Sequence, residues 1–181
     1  EWLGQVGPES EVEHGSDTYI RGCRTIIAKC KQGIVRKPVP RHVAILGFGP
    51  SVDQYTDTVK RLGDRFNYCD EVWAINSLGS VFHCDYVFHM DDVRIQEIRS
   101  EALPHSNIAA MTSWLKTCQV PVVTSRKHPD YPALVEFPLE DVLNTVKSDY
   151  FNSTAAYAIA YAIHIGVERI RNDEMLLHPI G

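Results

Sequence analysis

The sequence predicts an α/β fold: a mostly parallel sheet flanked by helices, with one added helix at the N-terminal end. Three observations carry this. Short apolar runs rich in β-branched residues alternate with segments of helical spacing. The first such run, His42–Leu46, stops directly at a Gly-x-Gly-Pro-Ser turn, Gly47 to Ser51. The segment 152–166 is apolar nearly all round, so it must be buried against a sheet.

In chain order, residues 1–14 read as a loose acidic leader. Ser16 or Asp17 caps a helix from about Thr18 to Gln32, whose Tyr19, Ile20, Cys23, Ile26, Ile27 and Cys30 recur at helical spacing. Gly33 stops it, and Pro38 and Pro40 lead in extended form into the first strand, His42–Leu46. A helix follows from Ser51 or Asp53 to about Leu62, then a strand Glu71–Ile75 ending at Asn76. The third strand is Asp85–Met90, closed by the acidic pair Asp91 and Asp92. Helices over about Val93–Ala102 and Asn107–Thr117 precede a fourth strand, Val120–Thr124. A short strand Ala133–Phe137, a helix Leu139–Val146, the apolar helix Asn152–Gly166 and a strand opening at Val167–Ile170 complete the pattern. The hydrophilic run Arg171-Asn172-Asp173-Glu174 is unexpected after a core strand, and points to a missing segment between Ile170 and Arg171. The division is thus a leader and helix over 1–40 and a Rossmann-like α/β domain over 41–181, whose ligand the strand ends below suggest.

The chain has 181 residues, enough for one domain with a sizeable core. Its 44% hydrophobic and 23% charged residues are ordinary for a globular protein. A net charge of −5 argues against a broad nucleic-acid surface and leaves a local basic cleft open. No apolar run reaches the roughly 18–20 residues that span a bilayer, and the start lacks a signal peptide's basic region and apolar core. The five scattered cysteines form no CxxC pair and read as reduced thiols, which suits the cytoplasm. The chain lacks an initiator Met and ends abruptly, as the ordered part of a longer protein would.

In open α/β sheets ligands bind beyond the carboxyl ends of the strands. Here those ends carry small or polar residues: Gly47–Ser51, Asn76 with Ser77, Asp91 with Asp92, and the run Thr124, Ser125, Arg126, Lys127, His128. Gly47, Gly49, Pro50 and Ser51 suit a phosphate, held by backbone N–H groups and the Ser51 hydroxyl; the competing reading is a tight turn with no ligand. Asn76 can bond a base, ribose or phosphate, or make a local turn. Asp91 suits a base, a ribose-binding carboxylate or one facing Mg2+, whereas Asp92 better suits a helix N-cap. Arg126 and Lys127 can neutralise a leaving phosphate and His128 can donate a proton, against the reading of a solvated basic loop. Asn152, Ser153 and Thr154 open a helix whose dipole favours an anion, and they also suit plain capping. His83, Cys84, Asp85 and His89 are rejected as a metal site, because strand alternation splits them and no second pair has zinc-site spacing.

Taken in order, Gly47-Phe48-Gly49-Pro50-Ser51, Val72-Trp73-Ala74-Ile75-Asn76-Ser77, Asp85-Tyr86-Val87-Phe88-His89-Met90-Asp91, and Asn152-Ser153-Thr154-Ala155-Ala156 leading to Ile165–Ile170 resemble a known family. It is the Rossmann-like family of archaeal 6-hydroxymethylpterin pyrophosphokinases and motility-associated-factor glycosyltransferases, with a more distant likeness to bacterial CMP-sialic-acid sialyltransferases. The resemblance covers about residues 40–170. It implies that Gly49, Pro50 and Ser51 contact nucleotide phosphates, that Asn76 contacts the nucleotide, and that Asp91, Ser153 and Thr154 face one cleft. The family's last core strand usually continues into Gly-x-Asp and an aromatic residue, which this chain lacks after Ile170. A small viral protein of this type would act in the host cytoplasm, with a hydroxylated nucleobase as acceptor.

The leading expectation is a nucleotide-sugar-dependent glycosyltransferase, with Asp91 as base or metal-facing carboxylate and His128 as acid. The second is pyrophosphokinase-type transfer from ATP, with Mg2+ at Asp91 and Asp92. The third is a non-catalytic nucleotide-binding or assembly protein of the same fold. The sequence leaves open the donor base, the acceptor and whether the N-terminal helix, with Ile20, Ile27 and Ile34, packs on the domain or in a homo-oligomer.

Overall fold

A computed structural model describes residues 39–148 and 150–172. The leader and the helix expected over Thr18–Gln32 lie outside the described residues. The described chain forms six strands and five α-helices. These are β1 (His42–Leu46), α1 (Val52–Leu62), β2 (Glu71–Ile75), β3 (Tyr86–Phe88), α2 (Val93–Ala102), α3 (Asn107–Leu115), β4 (Val122–Thr124), β5 (Leu134–Glu136), α4 (Leu139–Val146), α5 (Thr154–Ile165) and β6 (Arg169–Asn172). Short 3-10 turns stand at Arg65–Asn67 and Asn76–Ser80.

All the strands are parallel, in the order β5-β4-β3-β2-β1-β6. The chain steps outward from β1 to β5, then returns to place β6 on the other side of β1. The sheet expected to be mostly parallel is parallel throughout among the described residues. In β1, Val43, Ala44, Ile45 and Leu46 are all fully buried, because helices cover both faces of the sheet. Their side chains alternate between two cores. Ala44 and Leu46 join Tyr55 of α1 and Met111 and Leu115 of α3. Val43 and Ile45 join Val142 of α4 and Ala158, Ala160 and Ala162 of α5. The outward connections thus cover one face and the returning crossover covers the other.

Several boundaries differ from those the sequence predicts, by a residue or two at α3 and β5 and also at three other strands. β3 is shorter than Asp85–Met90, because Asp85 is engaged by Arg65 and the chain turns after His89. β4 starts at Val122 rather than Val120, since Pro121 has no N–H for the ladder. β6 runs from Arg169 to Asn172, across the Ile170–Arg171 junction, with Ile170 opposite Val43 and Arg171 opposite Ala44. As an edge strand it accommodates Arg171, whose guanidinium lies 4.4 Å from the centre of the Tyr68 ring. α5 is not buried all round: its alanines face the sheet, and Ile163 is half exposed.

Candidate functional site

The strand order reverses at β1, which has β2 on one side and β6 on the other. In open α/β sheets ligands bind at such a switch point, beyond the carboxyl ends of the strands. The Gly47–Ser51 turn lies there, between β1 and α1. Gly49 closes the turn by accepting from the Val52 N–H at 3.1 Å, and the Ser51 carbonyl accepts from the Gln54 N–H at 3.0 Å. Ser51 occupies the N-cap of α1, yet its side chain makes no capping hydrogen bond. Its hydroxyl therefore remains open, next to the positive end of the α1 dipole. Positive φ is not what the glycines supply here: among the described glycines it occurs at Gly63 and Gly166. Phe48 stands out from the turn, 62% exposed.

Beside this turn, β1 and β2 run in register, with Leu46 opposite Ala74. Asn76 follows β2 by one residue and takes a left-handed conformation, φ 52°. Asn tolerates that region better than most residues. The 3-10 turn then folds back through buried Leu78 and Gly79, where an added Cβ would collide with Val87 and crowd Trp114. Ser77 belongs to the same turn and its carbonyl accepts from the Ser80 hydroxyl.

At the end of β3, His89 is 1% exposed and its Nδ1 lies 3.0 Å from the Asn76 Oδ1. Burial pushes its pKa down, with the Asp91 charge acting weakly the other way. Asp91 is exposed and accepts from Gln96 Nε2 at 3.2 Å. Asp92 is the N-cap of α2 and accepts from the Arg94 N–H at 2.8 Å. That hydrogen bond, helped by His128 and Arg126, holds its carboxyl below the usual range.

Thr124 ends β4 and is fully buried, while Arg126 and Lys127 are exposed. His128 turns inward, its Nε2 3.4 Å from Asp92 Oδ1 and its side chain only 13% exposed. The loop that carries it is tied to α2 and α3. Arg94 pairs with Asp130 and Glu97, Tyr131 donates to Glu97 at 2.9 Å, and Lys116 reaches Glu97 at 2.9 Å.

α5 packs on β1, β2 and β3 and ends at Gly166 just before β6 begins, so its start also lies at the carboxyl edge, on the opposite face of the sheet. Ser153 caps it, accepting from the Ala156 N–H at 3.2 Å, so its hydroxyl is committed to the helix. Asn152 is exposed and Thr154 partly covered. Among the described residues no group of three or more His, Cys, Asp or Glu converges as a metal site. Asp85 and His89 stand at opposite ends of β3, and Asp85 is paired with Arg65.

Sequence reasoning thus brings Gly47–Ser51, Asn76, Asp91, His128 and the α5 start to one edge, and the structure places them there. It placed Thr124 there without giving it a role, weighed His89 as a metal ligand alone, and missed Gln96. These are buried polar residues at the same edge, and His89 Nε2, Gln96 Oε1 and Thr124 Oγ1 have no hydrogen-bond partner. The readable signal was a histidine at the end of an apolar strand, Val87-Phe88-His89. No helix of the described residues is long and apolar enough to cross a membrane. No family model, curated protein or solved structure matches the chain.

Proposed function

We propose that the carboxyl edge binds the diphosphate of a nucleotide and catalyses group transfer from it, with a nucleotide-sugar as donor. The observation that carries this reading is the Gly47–Ser51 turn at the switch point, where Ser51 begins α1 without spending its hydroxyl on the cap. In this reading that turn and the α5 start hold the phosphates. Asp91 accepts the proton of the acceptor hydroxyl as the new glycosidic bond forms. The bond from the sugar to the phosphate breaks, and its electron pair leaves on the nucleotide diphosphate. Arg126 and Lys127 offset that charge, and His128 serves as the acid that protonates the leaving oxygen. Transfer from ATP is the weaker fit. It needs Mg2+ beside Asp91 and Asp92, and Asp92 is already engaged by the Arg94 N–H and faces His128.

The test is a thermal-shift screen with CDP-, UDP- and GDP-sugars and with ATP, each with and without Mg2+. Saturation at about a hundred times Kd is expected to stabilise the fold by roughly 2.7 kcal/mol. Stabilisation by ATP with Mg2+ alone would favour the kinase, and no shift with any nucleotide would end both enzyme readings. With a donor in hand, Asp91→Asn is expected to keep the fold and lose turnover. Binding without turnover in the wild type would leave the non-catalytic protein.

A further inference from the structure

We infer that His89 is a positioning residue for this site. It holds the Asn76 carboxamide with its oxygen inward, so that the two Nδ2 hydrogens are offered to a phosphoryl oxygen of a nucleotide seated on the Gly47–Ser51 turn. The inference rests on the reading above and names the group that shapes its donor set.

Three independent observations support it. First, His89 is 1% exposed and its Nε2 is buried without a partner. An imidazole so placed is a poor substitute for an apolar side chain in the core. The hydrogen bond it does make is to Asn76, at 3.0 Å. With the carboxamide oxygen on Nδ1, the proton sits on Nδ1 and the lone pair on Nε2. Second, Asn76 is held from the backbone side as well. Its φ of 52° opens the buried 3-10 turn, in which Gly79 leaves no room for a side chain beside Val87 and Trp114. A residue fixed at both backbone and side chain presents its remaining atoms in one orientation. Third, the register that puts Leu46 opposite Ala74 sets Asn76 next to the Gly47–Ser51 turn across adjoining strands. The carboxamide nitrogen is left without a protein hydrogen bond among the described residues, beside the place where an anion would sit. Were the imidazole proton on Nε2 instead, the carboxamide would turn over and present its oxygen, which repels a phosphate.

The experiment has two arms. In the ligand-free full chain, 15N NMR of the histidine rings at neutral pH is expected to show His89 neutral, with Nδ1 protonated. In the second arm, CDP, UDP and GDP are titrated into wild type, Asn76→Gly, His89→Asn, His89→Ala and the Asn76→Gly/His89→Ala double variant. Glycine keeps the left-handed backbone at 76, and Asn at 89 keeps a donor near the Nδ1 position. Asn76→Gly and His89→Ala are each expected to weaken binding about tenfold. The double variant should be no weaker than Asn76→Gly, and His89→Asn should recover most of the loss. An Nε2-protonated or charged His89, additive losses, or no rescue by Asn would overturn the inference while nucleotide binding by the wild type stood. Absence of binding to the wild type would overturn the functional reading and the phosphate assignment with it. The NMR arm and Asn76→Gly hold even if His89→Ala does not fold.

Discussion

At the amino edge of the sheet, the Asp85 carboxylate accepts from Arg65 Nη1 at 2.9 Å, from Arg65 Nη2 at 3.3 Å and from the Val72 N–H at 3.0 Å. Asp70 accepts from the Arg41 and His42 N–H groups, both at 2.8 Å, and those bonds hold its carboxyl below the usual range. At the carboxyl edge, Thr124 Oγ1, His89 Nε2 and Gln96 Oε1 are buried with no partner at all. One end of the same sheet uses its polar groups to fix where strands begin. The other keeps polar groups dry and unpaired, which costs folding free energy and is tolerated where a protein binds something. On β6 the Arg171 Nε is also buried without a hydrogen bond, but its guanidinium stacks on Tyr68, so that group has a contact of its own.

The difference predicts opposite responses to removing a polar group. Asp85→Ala removes the carboxylate acceptor of the Val72 N–H and of Arg65, which is only 14% exposed and keeps the His83 carbonyl at 3.3 Å. The expected loss is about 2–3 kcal/mol, or roughly 5–10 °C in Tm. Calorimetry checks this, and nucleotide affinity should stay at the wild-type value. A loss below about 0.5 kcal/mol would mean that the amino edge is not held by this pair.

A pH series asks whether the carboxyl edge has a satisfied frame of its own. The Glu97 carboxyl is pushed from 4.5 down to about 2, chiefly by Arg94, then by Lys116 and Tyr131. A lowered folded pKa adds stability that is fully present above the unfolded pKa and is lost as pH falls through the folded one. The contribution of Glu97 therefore fades between pH 4.5 and about 2. Glu97→Gln is expected to be less stable than wild type at neutral pH and to converge with it at about pH 2. Urea melts at several pH values give the comparison. Parallel curves would show that the cluster does not brace the His128 loop through its charge.

Much of this fold was legible because its signals are local. β1 and β2 begin and end where an apolar β-branched run meets polar or small residues, and α2 and α4 start and stop at the residues expected. The edge at which the candidate residues gather was legible too, since in a parallel sheet every strand's carboxyl end points the same way. Their pairings were not. His89 meets Asn76 across 13 positions and Tyr131 meets Glu97 across 34, and both depend on strand order and helix placement rather than on neighbours in sequence. Capping at Asp92 and Ser51 likewise depends on local geometry: Asp92 caps its helix with its side chain and Ser51 does not.

The smallest expected effect is the sharpest test of the contrast, because its sign is reversed. Thr124 is fully buried at the end of β4, and its hydroxyl lacks a partner. Valine has nearly the same shape and the same preference for a strand, so Thr124→Val removes the hydroxyl and little else. At the amino edge such a loss breaks a network. Here it relieves an unsatisfied buried group, and the variant is expected to gain about 1 kcal/mol, or about 2–4 °C in Tm. A variant less stable than wild type would mean that the hydroxyl is hydrogen-bonded in solution, and the two edges would then handle their polar groups alike. A gain, set beside the loss from Asp85→Ala, would place the cost of the open polar groups at the end of the sheet where the nucleotide is proposed to bind.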